Sequence, residues 1–235
     1  ILKTAQFDAS INKNALIDYF LYQAVLGSET LFKDIFKVPN GKVLTFDKTT
    51  HELLNEQNIG SNNTSLKFTD YHEYREFIRE AILEQTYNAL NTDLEVSFQL
   101  SGGIDSNLML GIANHFFPEK KKFTVSSTIK DNFDDNELHY IKKTVDGSDY
   151  THNIIEIDSN NFFENLEDTI EFLDEPVGDA GVVAQSIVNK AISKYSKIGI
   201  AGQGADELFF GYMRNFLTFI YSTDNDRLKK SPFFD

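Results

Sequence analysis

The chain has 235 residues, 41% of them hydrophobic, enough to bury a real core in one moderate domain with an extension. Its formal charge of −14, from 22 Lys and Arg against 36 Asp and Glu, argues against an extended nucleic-acid surface, and the basic run Lys120-Lys121-Lys122 reads as a solvated loop. With no cysteine it can form no disulfide, thiolate zinc site or cysteine nucleophile.

At the N-terminus, Ile1-Leu-Lys-Thr-Ala5 lacks a signal-peptide pattern, and no apolar run approaches the roughly 18 residues of a membrane span. The expectation is a cytoplasmic chain with neither a membrane nor a nucleic acid as partner. Pro39-Asn40-Gly41, between Val38 and Val43-Leu44, signals a turn and predicts a hairpin. The polar, turn-rich stretch Ile59-Gly-Ser-Asn-Asn-Thr-Ser65 is the best candidate for a linker. It divides the chain into an N-terminal extension, residues 1–62, and a nucleotide domain, residues 63–235.

Leu94 to Leu100 reads as a buried strand through Val96, Phe98 and Leu100, and it runs into Ser101-Gly-Gly-Ile-Asp-Ser106. Leu108, Met109, Leu110 and Ile112 then predict a helix, so the glycine turn joins strand to helix. Gly102 and Gly103 let the backbone approach a ligand, while the helix start points unpaired N–H groups at it. Asp105 would repel a phosphate placed there unless a divalent cation lay between them, which implies a magnesium nucleotide. No Walker lysine follows, which argues against kinase or GTPase chemistry. Taken alone, the same residues also describe a capped helix in any protein.

Downstream, strands are predicted at Phe123 to Ser127 and Asn153 to Ile157, with helices near Asn136 to Val145 and Phe162 to Leu173. Asp174-Glu175-Pro176 interrupts the helical pattern and by residues alone reads as a helix-ending turn. A second apolar segment, Val182 to Ile192, precedes the strand Lys197 to Ala201. The run Gly202-Gln-Gly-Ala-Asp-Glu207 then repeats the earlier design, with Asp206 and Glu207 opening a helix that carries Leu208, Phe209 and Phe210. The alternation predicts an α/β fold with a parallel sheet flanked by helices and a small β-containing N-terminal extension. In such a sheet both turns emerge at the carboxyl edge, where Asp105 and Asp206 could share a metal. The spacings of Phe209, Phe210, Phe216 and Phe219 predict core packing rather than base stacking. The five histidines show no metal-ligand spacing and read as surface or structural.

Ser101-Gly-Gly-Ile-Asp-Ser106, Asp174-Glu-Pro-Val-Gly-Asp179 and Gly202-Gln-Gly-Ala-Asp-Glu-Leu-Phe-Phe-Gly-Tyr212, in this order, resemble the synthetase domain of glutamine-dependent asparagine synthetases. The first motif marks the broader class of ATP pyrophosphatases. The third is shared with relatives such as β-lactam synthetases and lasso-peptide cyclases. Thr30 to Gly41 is similar to the segment that closes the family's N-terminal glutaminase domain.

The resemblance implies an adenine nucleotide alpha hydrolase-like fold, and ATP and Mg²⁺ as cofactors. Its implied reaction is an AMP-forming amide ligation, with aspartate as the first-choice carboxylate and β-lactam or lasso-peptide chemistry, or ATP binding without turnover, as alternatives. Ser101, Gly102, Gly103 and Ser106 would hold pyrophosphate, and Asp105 and Asp206 magnesium. Gly202 and the strand-end backbone near Val125 and Ser126 would border the adenosine, Leu100 would be a further cofactor-binding residue, and Asp179 would belong to the substrate pocket. Gln203 stands where the family commonly has Glu, a position tied to amide formation; an amide cannot take a proton. Lys229 and Lys230 do not match the later lysine that stabilises charge during adenylation, so the synthetase domain is expected to be cut short at its C-terminus. The remaining partners would be the carboxylate and either ammonia or glutamine, with a homodimer as the assembly considered.

Overall fold

The computed structural model describes residues 10–59, 66–130, 136–173 and 175–222. The polypeptide forms two compact units, one of Ile1–Arg75 with Asn160–Ser186 and the other of Glu76–Ser159 with Ile187–Asp235. The expected linker stretch from 60 to 65, Asp174, and Lys229 and Lys230 lie outside the described residues.

In the first unit, α1 (Lys13–Tyr22) begins at Asn12, whose Oδ1 accepts from the N–H groups of Asn14 at 3.1 Å and Ala15 at 3.3 Å. It stops at Gln23, which takes the left-handed conformation at φ 61°. The strands β1 (Lys42–Phe46) and β2 (Leu53–Asn58) pair antiparallel. This hairpin sits one turn later than the sequence predicts. Pro39-Asn40-Gly41 forms a turn before β1, with the Lys42 N–H reaching the Pro39 carbonyl at 3.2 Å, and Val38 lies in no strand. The connection is closed instead by Asp47, whose Oδ1 accepts from Thr49 and Thr50 at 2.7 and 2.8 Å. The same unit contains most of α5 (Ser159–Phe172) and the start of α6 (Gly181–Ile192).

Helix α2 (Tyr71–Leu90) has no counterpart among the sequence expectations, yet its start is locally encoded. Asp70 Oδ1 accepts the Glu73 N–H at 2.9 Å, and Glu73 reaches back to the Thr69 N–H at 2.7 Å and hydroxyl at 2.6 Å. The Thr69 hydroxyl and N–H hold the Glu73 carboxyl below its ordinary pKa.

The second unit is built on β3 (Val96–Gln99), β4 (Phe123–Ile129), β5 (Thr151–Ile157) and β6 (Ile198–Ile200), all parallel in the order β5-β4-β3-β6. The α/β expectation with a parallel sheet flanked by helices therefore holds. Val96, Phe98 and Leu100 point to one face and pack with Leu90, with Leu110 and Ala113 of α3 (Ile104–Phe116), and with Ile141 of α4 (Asn136–Val145). Val125 points to the other face, against Val188, Ala191 and Ile192 of α6. Fully burying aliphatic side chains of this size contributes roughly 1.5–3 kcal/mol each, so the two faces fix the register of a short sheet.

Chain order sets the position of the site. From β3 the chain winds outward to β4 and β5, then returns to place β6 on the other side of β3. The winding direction reverses between β3 and β6, which leaves a crevice at their carboxyl ends.

Beyond β6 come the short α7 (Ala205–Phe209) and α8 (Met213–Ser222). Here the expectation of core packing fails: Phe209, Phe210, Phe216 and Phe219 are each at least 44% exposed. Phe210 takes the left-handed conformation at φ 59° and ends α7. The helical phase set by Phe209 therefore does not continue to Phe216 and Phe219.

Candidate active site

The first loop is held open by its own polar groups. Ser106, 5% exposed, accepts the Ser101 N–H at 3.1 Å and lies 2.9 Å from the Ser101 hydroxyl, which itself accepts the Gly103 N–H at 3.2 Å. Ser106 therefore braces the loop with its hydroxyl. Asn107, not singled out in the sequence, donates through Nδ2 to the carbonyls of Ser101 at 3.1 Å and Gly103 at 2.7 Å. Its Oδ1 accepts from Thr144 of α4 at 2.7 Å. The one available signal for Asn107 is its place directly after the motif. Asn107→Ala removes one donor from each of two carbonyls that the Ser106 hydroxyl also approaches at 3.2 Å, and should cost about 1 kcal/mol, measured by urea unfolding, with Thr144→Val costing less.

Gly103 caps α3 without a side-chain bond, so the first-turn N–H groups of a 13-residue helix have no intrahelical partner. Gly102 is small for a steric reason: a Cβ there would come within 2.7 Å of the Glu137 Cα on α4.

The second loop is pressed against the first. A Cβ on Gly202 would lie 2.7 Å from both the Asp105 Cβ and the Ser106 nitrogen, so no larger residue fits without parting the loops. Gly204, at φ 93°, turns the chain into α7. Gly211 then folds back, its N–H donating to the Asp206 carbonyl at 3.0 Å, and a Cβ on it would come 2.8 Å from the Asp206 Cγ.

Between the loops lies a cleft of 220 Å³ that Ser101, Gly103, Asp105, Gly202, Gln203 and Asp206 all line, together with Ser106, Glu207 and Tyr212. The two aspartates of the separate motifs thus face one space. Glu207 accepts the Tyr212 hydroxyl at 2.8 Å, and the Arg214 guanidinium sits 4.4 Å from the centre of the Tyr212 ring. The Tyr212 hydroxyl holds the Glu207 carboxyl below its ordinary pKa, and Glu207 in turn raises that of Tyr212. Both residues lie in the quoted third motif, but only their contact assigns them to the cleft.

The donor set suits magnesium better than a protein-caged ion. Mg²⁺ keeps several waters and takes one or two carboxylates plus substrate phosphates. Two aspartates in a solvent-connected cleft beside free helix N–H groups match that pattern. No cluster of three or more acidic or histidine ligands exists among the described residues.

Other expected residues lie elsewhere. Leu100, Val125 and Ser126 are at most 1% exposed, with the Leu100 N–H on the Val125 carbonyl at 2.9 Å and the Ser126 hydroxyl on the Leu100 carbonyl at 2.5 Å. Their side chains are in the core and do not line the cleft, so any part they take in nucleotide binding falls to the strand-end backbone. Asp179 belongs to the first unit, where its Oδ1 accepts the Gly181 N–H at 2.8 Å at the start of α6. Glu175 of the same motif holds that unit together, accepting from Lys37 Nζ at 3.0 Å and from the Leu31 N–H at 3.3 Å.

Beside the cleft an apolar groove of 400 Å³ runs between α2, α3 and α7, with Ile82, Leu108, Met109 and Leu208 among its walls and Gln203 at its edge. Gln203 lines both the polar and the apolar compartment, as do Asp105, Gly202 and Gly204.

A family model described as Asparagine synthase matches residues 77–231. Over 211 residues the chain is 28% identical to the glutamine-hydrolysing asparagine synthetase 1 of Bacillus subtilis, covering 90% of this chain and 33% of that protein. It is 26% identical over 234 residues to a putative glutamine-hydrolysing asparagine synthetase 2 of Methanocaldococcus jannaschii, covering 96% of this chain and 42% of that one. The chain thus spans less than half the length of either relative. Among solved structures, glutamine-dependent NAD⁺ synthetase from Acinetobacter baumannii in complex with ADP aligns with a TM-score of 0.40 and 20% identity, over 77% of this chain and 32% of that one. The family match takes in both acidic loops and the cleft they line, and it extends over well more than half of the residues: the chain belongs to the asparagine synthase family.

Proposed function

We propose that this chain carries the carboxylate-activating part of an ATP-dependent amide-forming ligase, with aspartate as the carboxylate and ammonia as the nucleophile. In the intact protein the ammonia comes from glutamine, and residues 1–62 are the end of the glutaminase-like domain that supplies it. The single observation that carries this reading is the meeting of Asp105 and Asp206 in one cleft beside the free N–H groups of α3.

Activation must precede amide formation, because a carboxylate carbon resists nucleophiles and its oxygen leaves poorly. A substrate carboxylate oxygen attacks the α-phosphorus of ATP, the bond to the bridging oxygen breaks, and pyrophosphate departs. Ammonia then attacks the acyl carbon, AMP leaves with the bonding pair, and the nitrogen loses a proton. When bound, Mg²⁺ would neutralise charge on the departing pyrophosphate. The chain's own part is to grip and align: the Ser101 to Ser106 loop and the α3 N-terminus cradle the phosphates, while Asp105 and Asp206 would hold the metal. Positioning and electrostatics carry most of such a reaction.

Gln203 lines the cleft where the family commonly has a carboxylate, and this favours a second reading in which the carboxylate or the amine differs, as in β-lactam or lasso-peptide cyclases. Full-length protein supplied with ATP, Mg²⁺, ammonium and candidate carboxylates, with AMP and pyrophosphate monitored, separates the readings. Aspartate-dependent AMP supports the first, and AMP formation with another carboxylate supports the second. Binding of ATP without turnover points to a relative that no longer catalyses, and release of ADP rejects the whole class. Gln203→Glu should alter the amine-transfer step more than pyrophosphate exchange, since only the former needs a proton acceptor; equal effects on both would refute that assignment.

A further inference from the structure

The lysine run at 120–122 reads from sequence as a solvated loop, but Lys122 is only 5% exposed. Its Nζ donates to the backbone carbonyls of Phe117 at 2.6 Å and Pro118 at 3.0 Å. An ammonium has three donors, and among the described residues Lys122 uses two. Lys120 is tied in the same way, donating to the carbonyls of Leu90 at 3.2 Å and Thr92 at 2.6 Å. Lys120 and Lys121 each sit 4.7 Å from the centre of an aromatic ring, those of Phe117 and Phe123.

These three lysines line a cavity of 350 Å³ at the amino ends of β3 and β4, the edge opposite the acidic loops. Its floor is core: Leu90, Val96, Phe98 and Ala113 are all at most 8% exposed. That volume lies in the range of small-molecule sites, which combine apolar walls with a few placed polar groups. A buried ammonium whose hydrogen-bonding capacity is incompletely used is costly without an anion. Burial lowers the Lys122 pKa, and Asp149 and Glu119 act against that shift. Asp93 and Glu95 also line the cavity, so a polyanion such as a nucleotide would meet two like charges there.

We infer that this cavity is a binding site, separate from the acidic cleft, for a small amphipathic monocarboxylate, which rests its apolar body on Val96, Phe98 and Ala113 and its carboxylate on the lysines that line it. The carboxylate takes the remaining Lys122 donor, a charge-assisted bond in a poorly solvated place. The inference is independent of the adenylation reading, because none of these residues lines the cleft.

The test is a titration of the full chain with 3-phenylpropionate, followed by backbone NMR. The expected result is saturable binding, with shifts confined to residues 90–98 and 113–123, at least about tenfold tighter than for the neutral 3-phenylpropanamide. Leu94 is 51% exposed on the cavity wall, so Leu94→Trp should fill the mouth and abolish binding without disturbing the core. Lys122→Met should erase the preference for the carboxylate. The inference is overturned if 3-phenylpropionate and its amide bind the wild type equally, if folded Leu94→Trp binds unchanged, or if the shifts map to residues 101–106 and 202–206.

Discussion

Replacing Gly202 with alanine should abolish nucleotide-dependent chemistry while leaving a folded chain, because the new methyl has no free space. Its Cβ would stand 2.7 Å from the Asp105 Cβ and 2.7 Å from the Ser106 nitrogen. The second contact is with backbone at the start of α3, which cannot swing aside like the end of a flexible side chain. Either the β6 loop retreats or the first turn of α3 shifts, and both movements pull Asp105 away from Asp206. A misplacement of about 1 Å in a positioned site can cost on the order of 10²-fold in rate, and here it would also separate the two proposed magnesium ligands. The expected result is at least that loss in ATP–pyrophosphate exchange by the full-length protein. Unfolding should shift by only about 1–3 kcal/mol, because Gly202 is on the surface side of the sheet end rather than in either apolar cluster. Gly204→Ala is the contrast: its Cβ meets nothing within 4 Å, so the cost is backbone strain at φ 93° rather than separation of the loops. If Gly202→Ala retains exchange while Gly204→Ala loses it, the loop conformation matters and the contact between the loops does not.

Much of this arrangement was legible in the residues, and what escaped has a common cause. The strands and both acidic turns announce themselves locally, because apolar runs that end in glycine and then acid have few other readings. Parallel topology then brings two turns, about a hundred residues apart in the chain, to one sheet edge. The parts not legible depend on partners distant in sequence. Glu175 looks like part of a chemical motif, but its carboxylate is engaged by Lys37 and the Leu31 N–H. Lys122 looks like one of three solvated lysines until its neighbours in β4 draw it under Phe117 and Pro118. Helix α2 was hidden because its face alternates charge with aromatic and aliphatic residues, yet Thr69, Asp70 and Glu73 spell out its start. The phenylalanines after Gly204 keep a helical spacing in sequence, but the left-handed Phe210 breaks the helix between them. Periodicity counts residues and cannot see a turn that resets its phase.

Asp105→Asn and Asp206→Asn should each lower pyrophosphate exchange by about 10²–10³-fold, the scale on which removal of one electrostatic contact to a reacting centre is felt. The double variant should be little worse than either single one. On the proposed reading both carboxylates would serve one cation: with the first gone, the metal–pyrophosphate unit would no longer be held in register, and the second would have less left to contribute. Independent roles would instead multiply the two losses, and that outcome would separate Asp105 from Asp206 functionally despite their shared cleft. A stability measurement supplies a check that needs no turnover. Without metal, two like charges lining one space oppose each other's presence, so neutralising either should leave the melting temperature unchanged or slightly higher. With Mg²⁺ and ATP present the order should reverse, because the wild type gains binding free energy in its folded state that the variants forfeit. A wild type that melts at the same temperature with and without Mg²⁺–ATP, and two asparagine variants that match it in both conditions, would leave the pair of aspartates with no cation to hold.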